Sequence, residues 1–161
     1  MTLHRLDQRA TMLETDCFVC SASNEHGLRI PFTYDDEAEL VTAEMTFGIE
    51  HSGAPTYVHG GLSLAVLNES MAWAVVATTR GFAITIAMNS EFHRPLRIGT
   101  TYRVEARVTG SEPNLRHAEA TLRNPSEDPC VTTTATFRTL SDNVSNRLRA
   151  RVARNQSPAA T

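Results

Sequence analysis

Lysine is absent from this sequence, and all fifteen of its basic residues are arginines. The formal net charge is only −3, so no strongly basic surface for nucleic acid is indicated. Hydrophobic residues make up 41% of the chain, which does not fit a disordered protein. Arginine binds phosphate and carboxylate groups through its planar guanidinium, so this usage favours ligands of that chemistry.

Long apolar runs are also missing. No apolar run follows a basic start at the N-terminus, so no secretory signal is predicted. The longest apolar window, 62–77, contains two serines, an asparagine and a glutamate, and we predict that it is too short and too polar to cross a membrane. Three cysteines cannot all pair with one another, so we expect free thiols and a cytoplasmic protein.

The 161 residues predict one domain that buries roughly two thirds of its unfolded surface. Residues 1–16 form an N-terminal segment with weak helical periodicity, and 17–140 form the domain. Residues 141–161 are an arginine-rich C-terminal tail, for which we expect either a frayed, flexible end or a loosely docked helix.

Alternating patterns predict six strands around one long helix. Segments 28–34 and 38–47 are joined at Asp35-Asp36 and predict a hairpin. Segment 51–56 is expected to be a loop, and the helix is expected from about Gly60 to Thr79, with its end near Gly81. Four more segments predict an antiparallel meander: 84–92, 102–110, 116–124 and 131–140.

The helix predicted at 60–79 is apolar around nearly its whole circumference, so it must be covered on most sides. Only a curved sheet made from the predicted strands provides that cover. The sequence therefore predicts an α+β fold in which one curved antiparallel sheet wraps around a central helix about 28 Å long.

Two adjacent polar residues, Asn68 and Glu69, interrupt this apolar helix. A carboxylate in such surroundings costs roughly several kcal/mol unless it is paired, hydrogen-bonded or neutralised. Glu69 therefore either lines a functional cleft or pairs with a neighbouring arginine or a subunit edge, and the residues alone leave both interpretations open. His59-Gly60-Gly61 precedes the pair, at a helix start whose N–H groups suit a developing oxyanion.

Four stretches together resemble the hotdog-fold acyl-CoA thioesterases, of the branch similar to the phenylacetate-pathway and 4-hydroxybenzoyl-CoA enzymes. They are CFVCSASNEHGLRI at 17–30, GAPTYVHGGLSLAVLNESMAWAV at 53–75, MNSEFHRPLRIGTTYRVEARV at 88–108 and TTTATFRTL at 132–140. The second stretch resembles the His-Gly-Gly loop and central helix of the family. Their order agrees with the order of elements predicted above.

The resemblance implies that the thioester carbonyl binds the backbone N–H of Gly60, with His59 shaping the loop, and that a helix carboxylate acts on water or on the thioester. The usual acid stands nine residues after the histidine, where this sequence has Asn68, and Glu69 stands at ten. Either Glu69 serves, or Asn68 only orients water or the thioester. Thr85 aligns with a water-holding hydroxyl, whereas Gly53 stands where some relatives carry an amide side chain.

Other positions are expected to bind substrate. Arg94 and Arg97 either hold coenzyme A phosphates or solvate a strand end, and Trp73 is either core or a limit to the acyl pocket. The remaining candidates lie at the helix start and on the following strand: Val58, Gly61 and Asn89. His93 and His117 are expected to be surface or packed strand residues.

Two other motifs are interpreted as structural. Cys17-x-x-Cys20 followed by His26 resembles a zinc-binding pattern, but a structural zinc site needs four ligands, and Cys130 is distant in sequence, so we predict no metal site. Ser63 in the sequence GLSLA lacks the final glycine and the preceding strand of a nucleophile elbow. We expect it to bond to the helix backbone.

The sequence thus predicts hydrolysis of an acyl-CoA or acyl-carrier-protein thioester to a free acid and a thiol, by a homodimer or homotetramer with each site between two subunits, without a cofactor. Nucleic acid is not an expected partner. The alternative is a non-hydrolytic acyl-CoA or acyl-carrier binding protein, because Asn68 replaces the usual carboxylate. A hotdog-fold hydratase is disfavoured, since no Asp and His pair has the spacing of that branch.

Overall fold

The structure is a computed structural model that describes residues 2–6 and 16–155. That part of the chain contains two α-helices, α1 (Gly60–Thr79) and α2 (Asp142–Asn155), and a 3-10 turn at Ile49–His51. Its strands are, in chain order, β1 (Leu3–Leu6), β2 (Phe32–Asp35), β3 (Leu40–Thr46), β4 (Ser52–Ala54), β5 (Tyr57–Val58), β6 (Ala83–Phe92), β7 (Thr101–Glu112), β8 (Leu115–Arg123) and β9 (Pro129–Thr139).

Seven of these strands form one antiparallel sheet in the order β1-β2-β3-β7-β8-β9-β6, and α1 packs across its central strands. Side chains along β7 alternate between buried and more exposed, and Tyr102, Val104 and Ala106 face inward. Leu67 and Met71 of α1 are fully buried against that face. The predicted α+β fold, one sheet around one long helix, is confirmed.

Several local predictions hold and others do not. The β2–β3 hairpin and the bounds of α1 are confirmed. The four later strands do not form a simple meander, because β6 pairs with β9 at the far edge of the sheet instead of with β7. Segment 51–56 is not all loop, since β4 lies within it and pairs with β5.

The N-terminal end differs from the sequence prediction, and the C-terminal end takes one of its two predicted forms, a helix. Leu3–Leu6 is a strand paired with β2, so the weak helical periodicity of 1–16 does not produce a helix at these positions, and residues 7–15 lie outside the described part. Residues 142–155 form α2. Helix α1 ends at Thr79, and its C-cap residue Arg80 takes the left-handed conformation with φ 55° and donates its N–H to the Val76 carbonyl.

Helix α1 is 20 residues long and, by length and composition alone, passes as a membrane span. The core helix of a folded domain satisfies the same criterion, and α1 packs against the sheet.

Candidate active site

The start of α1 presents a backbone N–H that no group in the described residues accepts. His59 caps the helix, and its Nδ1 accepts the Gly61 N–H at 3.0 Å. The N–H of Gly60, at the positive end of the helix dipole, has no acceptor among the described residues. The backbone turn is tight, because a Cβ at Gly53 would lie 2.7 Å from the Cα of His59. An amide side chain at 53 is thereby excluded.

A cleft of about 360 Å³ opens beside this N–H. Val58 forms one wall, and its other lining residues are Gly60, Ser63, Phe92, His93, Arg94, Pro95 and Leu96. Ser63 Oγ donates a 2.6 Å hydrogen bond to the Gly60 carbonyl, as expected for a serine bonded to the helix backbone. The cleft therefore offers an oxyanion donor without a serine nucleophile.

Two arginines stand close together in the sequence here, Arg94 in the cleft lining and Arg97 directly after the lining residue Leu96, and they differ in how they are paired. Arg94 lines the cleft, donates to the Pro129 carbonyl at 2.9 Å and lies 3.6 Å from Asp128. The Arg97 guanidinium stacks over the Tyr57 ring at 5.1 Å and meets no carboxylate of the described residues within ion-pair distance. Arg97 therefore keeps its charge available for an anion.

Asn68 and Thr85, both candidates from the sequence, are brought together. Thr85 Oγ1 donates a 2.7 Å hydrogen bond to Asn68 Oδ1. A register shift between Thr85 and Ala87 marks a bulge in β6, a feature that redirects side chains along a strand. Thr85 is exposed and Asn68 is partly exposed, so solvent reaches this pair.

Glu69 points to a different group of residues. Its Oε1 lies 2.9 Å from Cys20 Sγ and 3.4 Å from Cys17 Sγ, within hydrogen-bonding distance of both. No arginine or histidine in the described part of the chain forms an ion pair with it. The sequence analysis had considered His26 and Cys130 as partners of the two cysteines, and it missed Glu69 because that residue comes 49 positions after Cys20.

The acidity of these three groups is strongly shifted. A hydrogen bond from Cys20 lowers the pKa of the Cys17 thiol to about 5, and the same contact raises the pKa of Cys20. Burial, followed by the charge of Cys17, raises the pKa of Glu69 to about 7. None of the protein's three cysteines is in a disulfide.

Trp73 and Asn89 lie apart from the cleft. Trp73 is 5% exposed, and its indole N–H is buried without a hydrogen-bond partner among the described residues. Asn89 lines a second, polar cleft of about 220 Å³ together with Glu91 and Glu119. The structure therefore does not bring Asn89 to Gly60.

Comparison with protein families identifies the class. Residues 50–138 match the family model of the acyl-CoA thioesterase N-terminal domain, and the chain belongs to this family. Solved structures of the thioesterase superfamily share its architecture, which is the hotdog fold. None of the curated protein sequences matches the chain significantly.

Three solved structures illustrate the likeness. Protein RHA08564 of the thioesterase superfamily has 19% identity and a TM-score of 0.66, over 71% of this chain and 56% of its own. The E. coli PaaI protein from the phenylacetic acid degradation operon has 17% identity and a TM-score of 0.63, over 71% and 81%. Streptococcus mutans smu.793, solved with bound acetyl-CoA, has 14% identity and a TM-score of 0.58, over 64% and 82%. The chain thus spans little more than half of RHA08564.

Proposed function

We propose that this protein hydrolyses acyl thioesters of coenzyme A to a free acid and a thiol. The observation that carries the proposal is the N–H of Gly60, a cleft-lining residue at the positive end of α1, which has no acceptor among the described residues. Such a donor stabilises the oxyanion that forms when water attacks a thioester carbonyl. Membership of the acyl-CoA thioesterase family supports the same reaction.

Coenzyme A is the carrier that the residues near the cleft favour. Arg97 has no carboxylate partner in the part of the chain that the structure describes, and Arg94 lines the cleft, so both guanidinium groups can meet the phosphates of the coenzyme. The acetyl-CoA bound to the S. mutans relative is consistent with this choice. An acyl-carrier protein, which presents the same thioester on a phosphopantetheine arm, is the competing carrier.

A second copy of the chain is needed to bring the proposed groups together. Gly60 and Glu69 are nine residues apart on one helix, which places them about 13.5 Å apart along its axis and about 180° apart around it. One bound carbonyl group therefore does not reach both within a subunit. Strand β6 is an open edge with exposed Ile84, Ile86 and Phe92, and we propose that a partner subunit pairs there in a homodimer or a dimer of dimers.

Asn68 and Thr85 are proposed to hold the attacking water. Their hydrogen bond uses Asn68 Oδ1 and leaves the amide N–H₂ group as a donor. An amide does not take a proton from water, and Glu69 is the one acid in α1. We therefore assign Glu69 as the proton acceptor, reached from the neighbouring Asn68 through water.

A non-hydrolytic acyl-CoA binding protein is the second candidate. The observation that favours it is the direction of Glu69, whose carboxylate meets Cys17 and Cys20 instead of Thr85. In that case Gly60 and the arginines would hold an intact thioester, and Asn68 would mark the loss of the base.

Thiol release from short, medium, long and aromatic acyl-CoAs tests the proposal, with wild type, Glu69→Gln and Asn68→Asp compared. Hydrolysis by wild type that falls at least 10²-fold in Glu69→Gln supports the assignment of the base. The wild-type protein could instead bind acyl-CoA without turnover, with activity appearing only in Asn68→Asp. That result would show that the natural protein is a non-hydrolytic acyl-CoA binding protein. Acyl-carrier protein thioesters in the same panel decide the carrier.

A further inference from the structure

Three metal-ligating side chains meet at one point between the N-terminal loop and α1. The sulfur atoms of Cys17 and Cys20 and a carboxylate oxygen of Glu69 all lie within 4.8 Å of one another. We propose that these three residues bind a single divalent metal ion of the zinc class, with a fourth position open to water or a thiol. The site does not depend on thioester hydrolysis, so it goes beyond the proposed function.

The distances suit a tetrahedral ion. With zinc–sulfur bonds of about 2.3 Å and zinc–oxygen bonds of about 2.0–2.2 Å, neighbouring ligand atoms of a tetrahedron lie roughly 3.5–3.8 Å apart. Oε1 of Glu69 lies 3.4 Å from Cys17 Sγ and 2.9 Å from Cys20 Sγ. Side-chain adjustments of well under 1 Å would open these contacts around a metal ion.

The loop that carries the cysteines is held in place by its own backbone. Leu28 N–H donates to the Phe18 carbonyl at 2.7 Å, and Ile30 N–H donates to the Val19 carbonyl at 2.9 Å. Val19 N–H also donates to Cys17 Sγ at 3.4 Å. Such a hydrogen bond to sulfur is the outer-shell support that metal-ligating thiolates commonly receive. The two-residue spacing between the cysteines is one that zinc sites use.

Trp73 supplies an independent observation. Its indole N–H is buried without a partner in the described residues, four positions after Glu69 and therefore on the same side of α1. It can donate to the carboxylate oxygen that is not bound to metal. This arrangement orients a carboxylate ligand.

The donor set indicates which metal ions fit. Two thiolates with one carboxylate select zinc-like ions over magnesium or calcium, which prefer oxygen ligands alone. No cationic side chain of the described residues pairs with Glu69, so an ion would supply the positive charge that the group lacks. A bound metal would also occupy Glu69, and hydrolysis that used this carboxylate would slow.

Cobalt(II) and zinc(II) binding to the metal-free full-length protein test the proposal. We expect one Co²⁺ per chain with the near-ultraviolet absorption of cobalt–thiolate bonds, and displacement of cobalt by Zn²⁺. Cys17→Ser and Cys20→Ser should abolish that absorption. Glu69→Gln should weaken metal binding at least tenfold, since even outer-shell changes cost 10- to 100-fold. Cys130→Ser is the matched control, because Cys130 is buried in β9 away from the cluster, and it should bind metal as wild type does.

Thermal unfolding separates loss of the site from loss of the fold. Zn²⁺ should raise the melting temperature of wild type and Cys130→Ser and should leave that of Cys17→Ser and Cys20→Ser unchanged, since a ligand stabilises only a protein that binds it. The metal-free variants should unfold cooperatively. Absence of stoichiometric binding to wild type, or equal binding to Cys20→Ser, would overturn the proposal, and neither result bears on thioester hydrolysis.

Discussion

Thr85 on β6 donates a 2.7 Å hydrogen bond to Asn68 on α1, and this bond ties the middle of the central helix to the open edge of the sheet. It lies at the edge where we propose that a second subunit docks. Because Asn68 accepts through its oxygen, its amide nitrogen remains to orient water or a thioester. The pair therefore positions a reactant without being able to deprotonate it.

Replacing Thr85 by valine removes this hydroxyl and keeps a β-branched side chain that suits a strand. If the hydroxyl helps to hold the attacking water, kcat should fall roughly three- to tenfold, the loss of about one hydrogen bond, and KM should stay the same. Steady-state kinetics on one acyl-CoA checks this. Thr85→Ser should recover most of the activity, and an unchanged kcat in Thr85→Val would exclude the role.

The oxyanion donor can be removed with little change to the fold. Gly60→Pro deletes the N–H at the first position of the helix, where proline is well tolerated, and His59 before it already has the extended conformation that proline requires, with φ −63° and ψ 125°. We expect kcat to fall about 10²- to 10³-fold.

Gly60→Ala is the matched control for that change. It keeps the N–H, and its added Cβ would meet the Phe92 ring at 3.4 Å, an ordinary contact. Its activity should stay close to that of wild type. Equal losses in both variants, measured by thiol release, would show that the shape of the loop matters and the N–H does not.

Arg97 should contribute to the binding of coenzyme A and not to the chemistry. Arg97→Gln is expected to raise KM for acyl-CoA about tenfold and to leave KM for the matching acyl-pantetheine unchanged, because the truncated thioester lacks the nucleotide phosphates. Arg107→Gln makes the same change in charge at an arginine that pairs with Glu119 at 2.8 Å. A similar effect in both variants would point to net charge instead of a phosphate contact.

The open edge of the sheet should govern association. Ile84 on β6 is 49% exposed, and Ile84→Glu should shift the protein toward monomers in sedimentation velocity, since a charge on an edge strand opposes pairing. Ile49 is 72% exposed in the 3-10 turn, so Ile49→Glu provides a control of equal charge. If the Ile84→Glu variant remains a dimer, the subunit interface does not lie at β6.

The helix core should be sensitive to truncation. Leu67 is fully buried on the sheet side of α1, and Leu67→Ala should lower the free energy of unfolding by about 2–5 kcal/mol. Leu67→Met keeps the volume nearly constant and should cost less than about 1.5 kcal/mol. Urea unfolding of both variants measures the difference, and equal costs would contradict the packing described for this position.

The sequence was sufficient for the elements that depend on local pattern. The glycines and the proline that flank 60–79 predicted both bounds of α1, and the turn at Asp35-Asp36 predicted the hairpin that joins β2 and β3. Strand order was harder, because β6 and β9 are alike in composition to other strands and their paired residues are 39 to 56 positions apart in the sequence. A local sequence pattern does not show whether β6 pairs with the distant β9 or with the next strand in the chain.

The site residues likewise fall into those that local sequence predicts and those that depend on contacts between distant parts of the chain. His59, Gly60 and Ser63 lie within one helix turn, so their position at the start of α1 could be predicted from local sequence, whereas the roles of His59 and Gly60 came from the family resemblance. The contact of Glu69 with Cys17 and Cys20 depends on a loop folding back over α1, so a search for metal ligands near the cysteines in sequence selected His26 instead. The Asn68–Thr85 bond likewise forms beside a bulge in β6, and no residue type in this strand predicts that bulge.

The position of β6 in the sheet has a consequence for how the chain folds. This strand leaves the ribosome immediately after α1, yet its partner β9 is the last strand of the sheet to be made. Until residues 129–139 emerge, the backbone of β6 has no neighbour within the sheet, and its apolar side chains are open to other chains. The sheet is therefore completed late, when β6 pairs with a strand far away in the sequence. Slow synthesis beyond β8 should therefore lengthen the period in which nascent chains aggregate.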